Sequence, residues 1–347
     1  MNVIFIIFGL LALSVLIIAH ELGHFVMAKI NGVKVEEFSV GMGPKVFGIK
    51  GKETEYLIKA FPIGGYVKML GDQESSDDSR SFSSKSPQRK LSIIAAGPIM
   101  NFVIAILFFT IIASAKGFVI PVVSEVQKNS PAEAKGLLPG DKIIKVNNKK
   151  ISTWDEFTTI VYTSNPDVNS AIANPINITF VRDNNEKTID VTPIKNIEEN
   201  RYMIGVGATA IEKPNLFQSV GYGVKQCGYI IKEVFSFLGN AFKGNVSKDD
   251  VGGPVTIIKI SSQAAQAGFF YLLRFSAFIS VQLAIFNIIP FPALDGGWIF
   301  ILLYEIITRK KVDDKKVAIV NYIGFTFLMI LMVLVILKDV FLPINLN

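Results

Sequence analysis

Among 347 residues there is one cysteine, Cys227. No disulfide can form within the chain, and no metal site can be built on cysteines. Its bland reading, a small buried apolar residue, is the better one. Histidine is almost as scarce, with two, His20 and His24. Charge is thin as well. Asp, Glu, Lys and Arg make up 18% of the chain and hydrophobic residues 50%, with a mean hydropathy of +0.43. Soluble domains carry nearer a quarter charged residues. The shortage is local. Stretches 1–19, 91–115 and 318–337 hold no charge, and 275–304 holds only Asp295. A helix needs about 20 mostly apolar residues to cross a bilayer. Four spanning segments are therefore predicted, the third running on into a proline-rich stretch. The polar middle, 118–265, is long enough for a folded domain of its own.

The first apolar run lacks the cationic start of a signal peptide, since the first basic residue is Lys29. It ends in His20-Glu21-Leu22-Gly23-His24 rather than in a small-residue cleavage site, so a retained helix over 3–28 is expected. The net charge is +6 and the pI near 9.1. The excess sits in two short loops, 31–90 and 309–316, the latter with Arg309, Lys310, Lys311, Lys315 and Lys316. The positive-inside rule sets both loops in the cytoplasm. Four spans then leave both termini and the middle domain outside. Because topology accounts for the basic charge, no nucleic-acid partner is expected.

Between the first two spans, Gly41-Met42-Gly43-Pro44 and Pro62-Ile63-Gly64-Gly65-Tyr66 interrupt aromatic and β-branched residues, which reads as short strands and turns. This segment is apolar enough to dip into the membrane, where irregular backbone is tolerated only under cover of protein or lining a cavity. Residues 71–88, rich in Ser and Asp, read as a mobile loop. Gly97-Pro98 and Asn101 read as helix-packing features of the second span. The middle domain reads as strands with turns, Gly136 to Asp141 among them, plus a helix over 154–162. From Leu216 to Leu238 apolar residues recur in steps of three and four, predicting an amphipathic helix that packs on the membrane surface or on the core.

The chemistry centres on the two histidines. Four residues apart on a helix, His20 and His24 face the same side. With Glu21 between, they form H-E-x-x-H, two zinc-binding imidazoles and a general base. Ionisable groups at the end of an uncharged span are functional candidates. A catalytic zinc takes three protein ligands and keeps one position open. Without a third histidine or a nearby cysteine, the third ligand must be a carboxylate. Asp295, between Pro290 and Pro292 on one side and Gly296-Gly297 on the other, would be presented from an unwound segment. An Asp capping the helix that starts near Gly296 is the alternative, and both roles are compatible.

These residues resemble the site-2 proteases, intramembrane zinc metalloproteases. His20-Glu21-Leu22-Gly23-His24 matches the first motif of that family. Asn287, Pro290, Asp295 and Gly296 match its second, N-x-x-P-x-x-x-x-D-G. The likeness to the bacterial RseP branch includes Gly97 to Phe102, the segment around Gly64-Gly65-Tyr66, and the turn Gly136 to Asp141, similar to one in protease-associated PDZ domains. The resemblance implies a multi-pass α-helical membrane protein with four transmembrane helices, a membrane-associated β-hairpin region and an inserted PDZ-like α+β domain. The expected divisions are 1–117, a protease half; 118–195, the extracytoplasmic PDZ-like domain; 196–265, amphipathic helix and linker; and 266–347, the second protease half. One PDZ-like domain stands where larger Gram-negative members have two. The implied activity is zinc-dependent cleavage of single-pass membrane proteins, such as anti-sigma factors or remnant signal peptides, after a site-1 protease has trimmed them. One Zn2+ would be held by His20, His24 and Asp295, with Glu21 catalytic and the active site towards the cytoplasmic side. Substrate contacts would come from Asn287, Gly64, Gly65 and Tyr66. Competing readings are a tethered soluble metalloprotease, an inactive scaffold or PDZ adaptor, and a transporter. The first would place the motif in a polar domain, and the last would show repeated halves.

Overall fold

A computed structural model describes residues 2–72, 76–162, 164, 173–196, 201–209, 211–244 and 252–343. The chain divides into two compact units, 1–112 with 220–347, and 113–219.

The first unit opens with helix α1 (Val3–Ile30), whose N-terminus is capped by the Asn2 side chain. Two long strands follow, β1 (Val35–Lys50) and β2 (Glu55–Met69), paired antiparallel. The sequence suggested several short strands. Instead, glycines bend two long ones without ending them. Gly41, Gly43 and Gly64 have φ of 85°, 90° and 88°, a left-handed conformation that glycine adopts without steric cost. The bent strands double back, so Phe38 pairs with Val67 on one side and with Tyr56 on the other. Segment 65–69 forms one margin of this sheet and lies against α1. Lys29, at the end of α1, donates to Glu53 at 2.7 Å and thereby holds that carboxyl below its ordinary range.

The loop before the second helix differs from its reading as mobile. Residues 73–75 lie outside the described residues, but Ser81 and Phe82 are buried, and Phe82 packs with Ala28, Val33, Val35, Met69 and Ile93. Helix α2 (Pro87–Lys116) begins on a proline, where a missing N–H costs no intrahelical bond, and carries Pro98 inside.

The second unit is α+β. Its elements are β3 (Phe118–Val119), β4 (Glu125–Val126), α3 (Pro131–Ala134), β5 (Lys142–Val146), β6 (Lys149–Lys150), α4 (Trp154–Tyr162), β7 (Ile176–Arg182), β8 (Asn185–Val191), β9 (Ile194–Asn196), β10 (Arg201–Met203), β11 (Val206–Gly207) and β12 (Ile211–Glu212). An antiparallel sheet of order β6-β5-β7-β8 packs Ile143, Val146, Ile178 and Phe180 against Phe157 and Leu137. Asn147-Asn148 and Asp183-Asn184 all have positive φ, as tight two-residue hairpin turns require. The Gly136–Asp141 turn is locked by Asp141, 1% exposed, which accepts from Arg182 Nε at 2.7 Å and from the Leu138 N–H at 2.8 Å. This unit is wider than the 118–195 read from the sequence, because β11 and β12 return to pair with β4 and β3.

The chain re-enters the first unit through α5 (Leu216–Phe242), then α6 (Pro254–Ala267), α7 (Phe269–Ile288), α8 (Asp295–Thr308) and α9 (Asp314–Phe341). The apolar face of α5 carries Cys227, Ile230 and Val234, which pack on Ala105 and Phe109 of α2 and on Ala277, Val281 and Ile285 of α7. Of the two expected placements, this is the core. Burial pushes the Cys227 thiol up to about 12, so it stays protonated and inert. Helix α6, read as linker, packs along α1. A side chain at Gly9 would meet Ser261 Oγ at 2.4 Å. Among the described residues, four helices, α1, α2, α7 and α9, are long and apolar enough to cross a membrane. The third apolar run is two helices. α7 starts earlier than read, at Phe269, and stops at Ile288 ahead of Pro290 and Pro292.

Candidate metal centre

His20 and His24 sit one turn apart on α1, their ring centroids 4.8 Å apart and their planes at 84°. Asp295 reaches them from the first residue of α8. The loop before it is braced by α9. Asn321 Oδ1 accepts from the Ala293 N–H at 3.2 Å, and Phe291 and Phe327 pack with ring centroids 5.8 Å apart. Ala293 has a φ of 72°, a left-handed conformation that costs a non-glycine residue about 1 kcal/mol or more. The bracing compensates for that cost, so the turn is held where it aims Asp295 at the histidines.

The three donor atoms form a small triangle. His20 Nε2 is 3.1 Å and His24 Nε2 3.3 Å from Asp295 Oδ2, and the two nitrogens are 3.2 Å apart. Around zinc bonded at its usual lengths, neighbouring tetrahedral ligands stand about 3.3–3.4 Å apart. The set therefore fits that ion, and its chemistry, two imidazoles and a carboxylate, is that of a catalytic site with one position open. Despite the short distances, Asp295 Oδ2 is buried and makes no hydrogen bond of proper geometry. Three sets of lone pairs converge on one point, which is costly unless a cation lies there. Asp295 makes no capping bond to α8, so of its two sequence readings only the metal-facing one has a geometric counterpart.

His24 is oriented by a second contact. Its Nδ1 donates to the Ile93 carbonyl at 2.9 Å, which leaves the Nε2 lone pair for a metal. Ile93 lies on α2, and α2 comes this close because of glycine. A Cβ on Gly97 would lie 2.3 Å from His24 Nε2 and 2.8 Å from His20 Cε1, and one on Gly23 would lie 2.2 Å from the Ala96 carbonyl oxygen. By sequence alone, Gly97 and Asn101 read as helix-packing features. The structure corrects this. Gly97 packs on the two imidazoles themselves, and the Asn101 side chain touches His20. Their signal in the sequence was a polar residue and a glycine one turn apart in an uncharged span.

Glu21 faces the hairpin. A Cβ on Gly65 would be 3.4 Å from Glu21 Cγ. Gly65 thus lies beside the glutamate. Gly64 bends the strand against Met42. The Tyr66 hydroxyl turns elsewhere. It accepts from Lys59 at 2.8 Å and donates to Glu37. Asn287 lies half-buried in the last turn of α7, with no side-chain hydrogen bond among the described residues.

With this geometry established, comparison with known proteins gives a consistent result. The sequence model described as peptidase family M50 matches residues 8–331. A Clostridium acetobutylicum protein with a provisional zinc metalloprotease name is 48% identical over 342 residues, which are 98% of this chain and 98% of its own. A Clostridium perfringens protein with the same kind of name is 46% identical over 98% of this chain and 99% of its own. The regulator of sigma-W protease RasP of Bacillus subtilis is 28% identical over 94% of this chain and 95% of its own. Among solved structures, the PDZ domain of an SdrC-like protein from Listeria monocytogenes aligns with 27% of this chain and 88% of its own, at 16% identity and a TM-score of 0.22, too low to bear on the fold.

Proposed function

The chain belongs to peptidase family M50, and we propose that it is a zinc-dependent endopeptidase that makes the second, intramembrane cut in single-pass membrane proteins. The observation that carries this reading is the donor triangle of His20, His24 and Asp295, two of whose members lie on the membrane helix α1 just after its uncharged first part. These three side chains would hold one Zn2+. Bound there, zinc supplies a Lewis acid and an attacking water acidified to a pKa of about 7. Glu21, beside the triangle, takes the proton from the attacking water and returns it to the leaving amine.

Proteolysis needs an extended peptide, while a membrane-spanning substrate arrives as a helix. The margin of β2 at 65–69, next to Glu21, supports strand addition as the way an unwound substrate is held. Gly65 permits the close approach, Gly64 sets the bend, and Tyr66 braces the sheet through Lys59 and Glu37. Asn287 joins as a substrate contact on the strength of the motif match. The basic loops support an orientation with the active site towards the cytoplasm and both termini and the second unit outside. That unit acts as a PDZ-like filter that passes substrates already trimmed by another protease. The name of the Bacillus subtilis relative ties that protein to a sigma factor, which supports anti-sigma factors as one substrate class, with remnant signal peptides as another.

The test is zinc content together with cleavage of a single-pass membrane substrate. Wild type should hold one zinc and cut. Glu21→Gln should keep zinc and lose on the order of 10²–10⁴-fold in rate. Asp295→Asn should lose metal. A Glu21→Gln protein that cuts as well as wild type, or a wild type without zinc, would sink the peptidase mechanism and bring the scaffold or transporter readings forward.

A further inference from the structure

Asn101 is 1% exposed in the middle of an apolar helix, yet among the described residues its side chain makes a single hydrogen bond, Nδ2 to His20 Nδ1 at 3.3 Å. Its Oδ1 is buried and accepts nothing. As placed, the amide donates to Nδ1, which would put the ring proton on Nε2. That tautomer is incompatible with the Nε2 lone pair that faces Asp295 and His24. An imidazole that ligates through Nε2 carries its proton on Nδ1 and needs an acceptor there. His24 already has one in the Ile93 carbonyl. The nitrogen and oxygen of an asparagine amide are nearly the same size and exchange places by a half-turn. Turning this one sacrifices no bond at Oδ1, because Oδ1 makes none.

We propose that Asn101 is a positioning residue of the metal centre, whose side-chain carbonyl accepts the Nδ1–H of His20 and so holds Nε2 towards the metal. The inference rests on the zinc reading above. Asn101 is itself held, since Ser280 of α7, fully buried, donates to its backbone carbonyl at 2.8 Å. A chain of contacts therefore runs from α7 through α2 to the ligand on α1. It couples the helix that leads to Asp295 with the helix that carries both histidines.

The experiment measures zinc affinity of the full-length protein in detergent by competition with a chromogenic chelator, alongside the visible spectrum of the cobalt-substituted forms. Asn101→Leu keeps the volume and removes the acceptor, and should bind zinc about 10–100-fold more weakly, as loss of such outer contacts does elsewhere. Asn101→Asp keeps an acceptor and should bind at least as tightly as wild type, with a cobalt spectrum of the wild-type shape. Leucine binding as tightly as wild type, or aspartate as weakly as leucine, overturns the proposal. If the leucine variant does not fold, aspartate alone decides, and a loss of about tenfold or more overturns it. A wild type without zinc, or His20→Ala binding it normally, points instead to failure of the zinc centre itself.

Discussion

Gly97 shows how one missing side chain can govern a centre to which it contributes no ligand. Its backbone lies so near both imidazoles that a methyl group would overlap His24 Nε2. Backbone atoms of α2 cannot retreat cheaply, because His24 is also bonded to the Ile93 carbonyl on the same helix. Gly97→Ala should therefore displace the histidine and lower zinc affinity by about 10–100-fold, measured by chelator competition, while the second unit keeps its own melting transition. Normal zinc binding in this variant would mean that the helix shifts more easily than interior packing generally permits. Asn101 acts at the same scale and in the opposite manner, by adding a contact where Gly97 makes room.

At the scale of elements, the break between α7 and α8 does the positioning. Proline ends α7, and Asn321 and Gly324 of α9 let the loop approach closely, with a Cβ on Gly324 falling 2.5 Å from Pro292. Helix α9 has a second anchoring role. Asp339, 4% exposed, accepts from the Gly253 N–H at 3.1 Å and the Thr256 N–H at 2.9 Å. It thus caps α6 from another helix, where the cap residue Gly253 has no side chain to do so. Asp339→Ala leaves two N–H groups without acceptors and should cost about 2–3 kcal/mol of stability, read from unfolding in detergent. A change below about 0.5 kcal/mol would show that water satisfies those groups instead.

For the whole molecule, the metal ligands come from opposite ends of the first unit's sequence, α1 and α8. Zinc bound to the native centre joins segments that are far apart in the unfolded chain, so its binding energy counts towards folding of that unit. Stripping the ion with a chelator should abolish cleavage and lower the first unit's unfolding midpoint. Zinc at about 1,000 times its dissociation constant should restore roughly 4 kcal/mol. The second unit has a separate core around Ile178, Phe180 and Phe157, and its transition should not move. Cleavage that survives complete zinc removal would contradict the assigned chemistry.

Much of this was determined by the sequence alone, for reasons of scarcity and period. With two histidines and a single charge in 275–304, the candidates for His20, His24 and Asp295 needed no coordinates. Bilayer thickness makes long uncharged helices legible by length. What only the tertiary structure decided depends on which surfaces meet. Gly97 and Asn101 looked like any helix-packing pair until α2 was laid against α1. Helix α6 was hidden because small and polar residues make a poor hydrophobic signal, although they allow close contact at Gly9 and Ser261. The doubling back of β1 and β2, the burial of Phe82 and the return of β11 and β12 all rest on pairings between distant residues. Such pairings are set by the free energy of the whole fold rather than by local preference, so no window of sequence displays them.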